Sequence, residues 1–367
     1  MKNFLKKWKK CCRVVCSLAA AATFAFAAPD AEAKELVLLD ADMVEMFDDG
    51  VAMMMLERSP ETELLGVTVV PGNTWAEDGV AFTIRQLEGM GVKNVPVAMG
   101  TPRPETLERV AKIEEETRTF GRGHDSHFGA AGYARPKDWQ TAYRHNYGGS
   151  APTLAPVEEA AEDFIIRTIK EHPGEVTIAA IGPCTNIAKA IEKAPEIVPM
   201  AKRIAYMGGS YFQQGNVTPA AEFNIWFDPE SAKAVMRAPW KEQIVVPLDA
   251  CEKMRLTGED FFGFKKLIKK PEFNMMMARH YLAERLENQN GPTFIWDVLT
   301  AALIVNPSVI TEEVTMPIDV NDVYSPSYGQ TLAYITVQPE GTQKARIVKA
   351  VDQKKVLWMI HDIFKTL

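Results

Sequence analysis

The feature that most constrains this chain is an apolar run that breaks into acidic residues, LVLLDADMVEMFDD from Leu36 to Asp49. Its aspartates are Asp40, Asp42, Asp48 and Asp49. Carboxylates grouped just beyond the end of a buried strand repel one another strongly unless a cation lies among them. The stretch therefore predicts a buried strand that leads into a site for a hard metal ion.

Short apolar runs alternate with longer helical patterns along the rest of the chain, which is typical of βαβ units and a mainly parallel sheet. The predicted strands are 36–39, 63–70, 95–98, 176–181, 203–207, 244–248, 332–337 and 346–351. The predicted helices are 49–56, 75–90, 157–171, 186–193, 229–236, 258–287, 294–305 and 354–364. Between them, residues 102–156 have poor periodicity and predict a long excursion over one face, of the kind that often carries function.

The first 33 residues have the pattern of a secretory signal peptide. Six basic residues precede or enter an apolar run from Val14 to Ala28, and Ala31-Glu32-Ala33 supplies a small-x-small cleavage site. We therefore expect a mature domain of residues 34–367 in a secreted or periplasmic protein. Without the leader, 35 basic residues face 46 acidic ones, a balance that disfavours nucleic acid or an anionic membrane as a partner.

Two cysteines remain in the predicted mature chain, Cys184 and Cys251. Their spacing follows no metal or disulfide framework, so two buried free thiols are favoured over a single disulfide. The length of the mature chain is compatible with one large α/β domain or two small ones.

Polar residues follow several predicted strands, and in parallel sheets ligands collect at these strand ends. They are dominated by carboxylate and amide oxygens, which suit Ca²⁺ or Mg²⁺ and a polyhydroxylated ligand such as a sugar. The residues are Asn73, Thr185, Asn186, Asn216, Glu222, Asn224, Asp249, Glu252 and Asp297. A clustered Cys and His set, a phosphate loop and a GxSxG elbow are missing from the sequence at these positions.

Four ordered segments together resemble the nucleoside hydrolases, which use calcium to cleave the N-glycosidic bond of ribonucleosides. They are the aspartate cluster, LLGVTVVPGN ending at Asn73, the turn GPCTN, and GNVTPAAEFNIWFDPE from Gly215 to Glu230. The resemblance runs from about Leu36 to at least Pro307. It implies a mainly parallel, doubly wound (Rossmann-like) sheet in a single domain, a nucleoside as substrate and a homo-oligomer.

The resemblance also implies roles for individual residues. Asp42 matches the calcium ligand that takes a proton from the attacking water, and Asp40 matches an acid in a supporting role behind the metal. The other matching calcium ligands are Asp49, Asp297 and Ile181, the last through its main-chain carbonyl. The residues that match substrate-binding positions are Asp48, Asn73, Asn216, Glu222, Asn224 and Trp296.

Two departures from the commoner family pattern bear on the loop and on the base. Five residues, Met43 to Phe47, separate Asp42 from the paired aspartates where the usual number is three, so the shape of this loop is left open. Trp296 stands where many members have a histidine as general acid. This resembles the purine-specific branch, in which the base is stacked between aromatic rings, so purine nucleosides are favoured over a broad specificity. The sequence leaves open whether Trp139, Phe128 or Tyr133 completes the stack, and whether His124 or His127 is an acid or binds the 5′-hydroxyl.

Two rival interpretations compete with hydrolysis of nucleosides. DADMV also fits the nucleophile motif of haloacid-dehalogenase-like phosphatases, which use Mg²⁺, but that class leaves Asn216, Glu222 and Asn224 unexplained. A secreted protein that binds calcium or a nucleoside without turnover is the other rival, because the loop after Asp42 is altered.

Overall fold

The strand Glu35–Ala41 lies near the middle of a sheet in the computed structural model, which describes residues 33–46, 48–125, 127–279 and 293–367. Its residues from Val37 onward are all buried, as expected for a strand covered on both faces. The strands are β1 Glu35–Ala41, β2 Thr62–Val69, β3 Val97–Met99, β4 Val176–Ala180, β5 Arg203–Met207, β6 Gln243–Val246, β7 Arg255–Leu256, β8 Thr293–Phe294, β9 Ile310–Val320, β10 Thr331–Ala333 and β11 Gln343–Val351.

Nine of the described strands form one sheet in the order β10-β9-β11-β6-β5-β4-β1-β2-β3. The pairs from β11 through β6, β5, β4, β1 and β2 to β3 are all parallel, and only β9 runs antiparallel to its two neighbours. The short strands β7 and β8 pair with each other separately. The mainly parallel sheet predicted from the sequence is thus confirmed.

Helices cover both faces of the sheet, because alternate side chains of β1 enter different hydrophobic cores. The helices are α1 Asp49–Arg58, α2 Ala76–Met90, α3 Pro104–Val110, α4 Ile113–Phe120, α5 Trp139–Asn146, α6 Ala161–Glu171, α7 Thr185–Lys193, α8 Phe223–Phe227, α9 Pro229–Arg237, α10 Leu248–Cys251, α11 Gly258–Lys265, α12 Pro271–Arg279, α13 Asp297–Val305 and α14 Gln353–Phe364. Val37 and Leu39 join the core under α1, α2, α13 and α14, whereas Leu38 joins the core under α6, α7 and α9.

The order of the strands reverses direction at β1. From β1 the chain proceeds through β2 to β3 at one edge, and it then returns to form β4, β5 and β6 on the other side of β1. The carboxyl ends of β1 and β4 therefore flank a topological switch point, the usual place for a ligand in an open α/β sheet. The residues that follow these two strands are Asp42 and Ile181.

Several predictions about elements are wrong. The predicted strand 332–337 ends at Ala333, and the described part of the helical region 258–287 is two separate helices, α11 and α12. The excursion 102–156 contains the helices α3, α4 and α5, whose polar, mostly exposed turns hide the helical period. The strand β9 was missed because its first half is largely exposed and charged. The late helix begins at Asp297 rather than Phe294, because Thr293–Phe294 pairs with Arg255–Leu256 instead.

The predicted signal peptide lies outside the described residues, except for its last residue, Ala33. Residues 280–287, the end of the predicted helical region 258–287, also lie outside them. No helix in the described ranges is long and apolar enough to cross a membrane. Cys184 and Cys251 are both buried and free, in agreement with the interpretation that the sequence favoured.

Candidate active site

Asp42 follows β1 directly and is completely buried. The main-chain N–H of Asn73 donates to its Oδ2 at 2.6 Å. The backbone at Gly72 and at Gly182 lies close to the same carboxylate. A Cβ atom added at Gly72 would lie 2.2 Å from Oδ2, and one added at Gly182 would lie 2.8 Å from Oδ1. The carboxylate is thus fixed from two sides by backbone that approaches it closely.

Asp40 lies two residues earlier, inside β1, and is also completely buried. Its Oδ1 accepts hydrogen bonds from Thr68 Oγ1 at 2.6 Å and from Asn186 Nδ2 at 2.8 Å. Burial raises the pKa of Asp40 to about 7 despite these bonds. Its partners come from β2 and α7, so its hydrogen bonds link β1 to these two neighbouring elements.

The loop after Asp42 adopts a defined shape in residues 43–46. Met43 and Met46 are buried in the core, and the N–H of Met46 donates to Gln86 Oε1 at 3.1 Å. Met46 has a φ of 51°, in the left-handed region that non-glycine residues rarely adopt. The chain then enters α1 at Asp49, whose Oδ2 accepts the N–H of Val44 at 3.3 Å.

Four acids converge where the loop after β1 meets the start of α13. Asp48 Oδ1 accepts the N–H of Asp297 at 2.8 Å, which joins the first loop to the start of α13. Burial and repulsion by their acidic neighbours hold the pKa values of Asp42, Asp49 and Asp297 well above their usual range. Burial raises the pKa of Asp48 to about 7. Such a group is unstable as four anions without a compensating charge.

The donor set of this cluster fits a hard cation. Asp42 Oδ1 and Asp49 Oδ1 are buried and have no hydrogen-bond partner in the described chain, and carboxylate oxygens are the ligands that Ca²⁺ prefers. Within the described ranges, however, no three acidic, His or Cys side chains have the spacing of a closed metal cage. The fit to a hard cation therefore rests on the two buried, unpartnered oxygens of Asp42 and Asp49.

The predicted ribose-binding segment is built around the cap of α8. Glu222 caps this helix: its carboxylate accepts the N–H groups of Asn224 and Ile225, and also that of Gly209 at 2.9 Å. Burial raises the pKa of Glu222 to about 7. These bonds fold the segment that follows β5 back onto the strand ends, so Glu222 has a structural task in addition to its predicted contact with the sugar.

Asn224 and Asn216 anchor the same segment. Asn224 Nδ2 donates to the carbonyl oxygens of Ile181 at 3.0 Å and Met207 at 3.2 Å, which links the ends of β4 and β5. Asn216 Oδ1 accepts the N–H of Phe223 at 3.0 Å. The Ile181 carbonyl, predicted to bind calcium, therefore already accepts one hydrogen bond and has one lone pair left.

A cavity of about 370 Å³ opens above these groups. Its size lies within the range of about 300–1,000 Å³ that is usual for ligand pockets. Of the predicted site residues, Asp42 and Ile181 are buried and do not line the cavity, whereas all the others do. Those that line it are Asp48, Asp49, Asn73, Asn216, Glu222, Asn224, Trp296 and Asp297.

Comparison with known proteins identifies the family. The sequence model of the inosine-uridine preferring nucleoside hydrolases matches residues 37–357. The chain belongs to this family. It is similar to the pyrimidine-specific ribonucleoside hydrolase of Escherichia coli, at 29% identity over 82% of this chain and 87% of that one. A probable uridine nucleosidase of Oryza sativa is 29% identical over 76% of this chain and 79% of its own.

Solved structures agree with this nucleoside hydrolase assignment. A purine-preferring ribonucleoside hydrolase from Gardnerella vaginalis superposes with a TM-score of 0.70 at 25% identity, over 90% of this chain and all of the other. A plant nucleoside hydrolase has a TM-score of 0.72 at 24% identity, over 91% and 99% of the two chains, and supports the fold. The protein is thus an N-glycosidase that acts on ribonucleosides, and members of its family use a metal ion. The phosphatase interpretation is excluded.

In this nucleoside hydrolase several residues that the sequence did not single out line the cavity: Glu45, Phe82, Asp125, Asn146 and Phe223. Phe223 is adjacent in sequence to Glu222, and Glu45 lies between Asp42 and Asp48, so these two are close in sequence to predicted site residues. The others come from α2 and from the excursion. Their positions over the strand ends depend on tertiary contacts, which the periodicity of the sequence does not predict.

The candidates that the sequence left open are separated by the structure. His127 lines the cavity, and its Nε2 lies 3.2 Å from Asn73 Oδ1, whereas His124 Nε2 pairs with Glu252 Oε1 at 3.1 Å. Phe128, Tyr133 and Trp139 are not among the described lining residues. Tyr133, for example, donates its hydroxyl hydrogen to Asp78 Oδ2 at 3.0 Å. The aromatic rings that do line the cavity are Phe82, His127, Phe223 and Trp296.

Proposed function

We propose that this nucleoside hydrolase cleaves purine ribonucleosides to free base and ribose, with Asp42 as the group that takes a proton from the attacking water. The observation that carries the proposal is the carboxylate of Asp42. It is buried and held by the N–H of Asn73, and its Oδ1 lacks a hydrogen-bond partner among the described residues. A buried carboxylate with a free oxygen atom and a fixed orientation can accept a proton from a water placed beside it, which is the role of a general base.

Calcium is the cation that we propose for the acid cluster. The side chains that would hold it are Asp42, Asp49 and Asp297, with the carbonyl of Ile181. When bound, calcium would lower the pKa of a water and coordinate sugar hydroxyls. It would also remove the repulsion that raises the pKa values of the three aspartates.

The remaining polar residues would bind the sugar and stabilise the transition state. Cleavage of the bond between C1′ and the base nitrogen develops positive charge on the ribose ring. The carboxylates of Asp48 and Glu222 line the cavity and supply a negative field for that charge. Because Glu222 and Asn216 are held by backbone groups, this field needs little rearrangement during the reaction.

The preference for purines rests on Trp296 and on the aromatic lining. Trp296 lines the cavity beside the aspartates, and its ring centroid lies 5.7 Å from that of Phe294. A larger base gains more from stacking on such a ring. Relatives exist with each preference, since the Escherichia coli protein is pyrimidine-specific and the Gardnerella vaginalis protein is purine-preferring.

The direct test is to incubate the protein with inosine, guanosine, adenosine, uridine and cytidine and to measure free base and ribose. We expect release from the purine nucleosides with calcium present, and a loss of that release when a chelator removes the metal. Release that is unaffected by the chelator would remove calcium from the proposal, and a faster release of uracil than of hypoxanthine would reverse the base preference.

Replacing Trp296 by alanine should lower kcat/KM for inosine about tenfold more than for uridine. Stacking of a base on an aromatic ring contributes about 1–3 kcal/mol, and the purine loses the larger share. Trp296→Phe keeps an aromatic ring and serves as the matched control. It should change the ratio of kcat/KM for inosine to kcat/KM for uridine by less than threefold. An equal fall for both nucleosides after Trp296→Ala would show that the ring does not select the base.

Two further properties are proposed on the sequence alone: export and self-association. The basic and apolar segments of residues 1–33 support a leader that is removed, so that the mature chain begins near Lys34. Intact mass measurement of the exported protein tests this start. The family resemblance supports a homo-oligomer, which sedimentation of the purified protein measures.

A further inference from the structure

The loop that fixes Asp42 is itself fixed by a distant part of the chain. This loop, Gly72 to Trp75, joins β2 to α2, and the N–H of Asn73 within it donates to Asp42 Oδ2 at 2.6 Å. The place of the carboxylate therefore depends on the place of the loop. The excursion contacts the loop at Ala130, whose N–H donates to the carbonyl oxygen of Gly72 at 2.8 Å.

Gly129 allows the excursion and this loop to approach each other closely. Its φ of 55° lies in the left-handed region, where glycine is the residue that fits without strain. A Cβ atom added at Gly129 would lie 2.3 Å from the carbonyl oxygen of Gly72 and 3.1 Å from the Cα atom of Asn73. The two segments thus meet backbone against backbone, directly beside the N–H that holds Asp42.

Tyr133 binds both N–H groups of Trp75 at the end of the loop. Its hydroxyl oxygen accepts the main-chain N–H of Trp75 at 3.2 Å, and its carbonyl oxygen accepts the indole N–H of Trp75 at 3.0 Å. The hydroxyl of Tyr133 also donates to Oδ2 of Asp78, in the first turn of α2, at 3.0 Å. Tyr133 therefore links the loop to the excursion and to the helix that follows the loop.

The ring of Tyr133 does not explain these contacts as core packing. The residue is 45% exposed, whereas Trp75 is only 4% exposed. Tyr133 is also not among the described residues that line the cavity. Removal of its hydroxyl group would thus leave the core packing almost unchanged, but it would take away the acceptor of a buried main-chain N–H.

We propose that Tyr133 is a positioning residue for Asp42 and that it acts through the loop from Gly72 to Trp75. This deepens the proposed function and rests on it. The hydroxyl of Tyr133 holds the loop at Trp75, and the held loop presents the N–H of Asn73 to the carboxylate of Asp42. A displacement of about 1 Å in a reacting group can cost about 10²-fold in rate. A hydroxyl outside the cavity can therefore affect turnover.

The test is a double-mutant cycle of Tyr133→Phe and Asp42→Asn, with inosine as substrate. Tyr133→Phe alone should lower kcat about tenfold and change KM less than about threefold. In the Asp42→Asn protein the same substitution should lower kcat less than about twofold, because no proton acceptor remains to be misplaced. Hydrogen exchange of residues 70–76, measured by mass spectrometry, should be faster in Tyr133→Phe than in the wild-type protein, because the loop opens more often.

Tyr143→Phe is the matched control, because it removes a hydroxyl from another tyrosine of the excursion. Tyr143 is buried in α5 and donates to Glu88 Oε2 at 2.5 Å, near the end of α2 that is remote from the loop. This variant should keep kcat, KM and the exchange rate of residues 70–76 within about twofold of the wild-type values.

The outcomes separate the role of Tyr133 from the proposed function. If Tyr133→Phe lowers kcat by the same factor in the wild-type and Asp42→Asn proteins, Tyr133 does not act through Asp42, and its positioning role is overturned while the proposed function stands. An unchanged kcat in Tyr133→Phe has the same meaning. If Asp42→Asn alone keeps full activity, the proposed role of Asp42 is overturned, and the role of Tyr133 is overturned with it.

Discussion

Replacing Asp42 by asparagine should lower kcat for inosine about 10³-fold with little change in the folded structure. Asparagine has almost the same shape and can still accept the N–H of Asn73 with its amide oxygen, so the hydrogen bond at 2.6 Å can be kept. The amide cannot take up a proton, however, and positioned acid–base groups contribute about 10²–10⁴-fold to rate. Steady-state measurement of released base gives kcat directly.

Asp42 is proposed both to bind calcium and to accept a proton, and calcium titration by calorimetry separates these roles. If the Asp42→Asn protein binds calcium with an affinity within about tenfold of the wild-type value but hydrolyses inosine about 10³-fold more slowly, the substitution has removed the proton acceptor and not the metal site. Asp163→Asn, at a surface carboxylate paired with Lys193 at 2.8 Å, is the matched control and should keep full activity. Full activity in Asp42→Asn would remove Asp42 from the chemistry.

The centre of the fold was predictable because it depends on local patterns. The buried run of β1 and its aspartates predict a strand that ends at charged residues, and parallel sheets carry their ligands at that edge. The segment from Asn216 to Asn224 was informative for the same reason, since its polar residues follow β5 closely in the chain. The structure brings both segments to one cavity.

The walls of the cavity were not predictable in the same way. Phe82 lies on α2, whose pattern predicts only an amphipathic helix, and Asn146 ends α5, a helix that the sequence did not indicate. Asn146 approaches the site because its side chain bonds Asp78 across 68 residues of sequence. Contacts at that separation depend on how whole elements pack, and a single sequence carries no pattern for them.

The loop from Met43 to Phe47 shows where local reasoning stops. The sequence established that it is two residues longer than usual but not which side chains it buries. The structure shows that Met43 and Met46 are buried and that Glu45 remains in the cavity wall. Met46 adopts a conformation that its residue type disfavours, so no propensity argument would have selected it. The anchor is Gln86, 40 residues away.

Replacing Gly72 by alanine should lower kcat at least 100-fold although Gly72 carries no reactive group. The added Cβ would lie 2.2 Å from Asp42 Oδ2 and 2.7 Å from Asp42 Cβ, distances that real structures do not tolerate. Asp42 cannot move away freely, because Gly182 closes on its other oxygen and the N–H of Asn73 holds Oδ2. A displacement of about 1 Å in a reacting group can cost about 10²-fold in rate.

The same substitution should cost about 1–3 kcal/mol of unfolding free energy, as overpacking of a buried site usually does. Urea unfolding measures this loss. The two kcat values are then compared without urea, at a temperature at which both proteins are folded. Gly263→Ala is the matched control, because Gly263 lies in α11 with no atom within 4 Å of the added Cβ. It should keep wild-type kcat and gain up to about 1 kcal/mol, since alanine favours a helix more than glycine does. A fully active Gly72→Ala protein would mean that the carboxylate of Asp42 can move without loss of rate. The fixed position of this carboxylate would then have no part in catalysis.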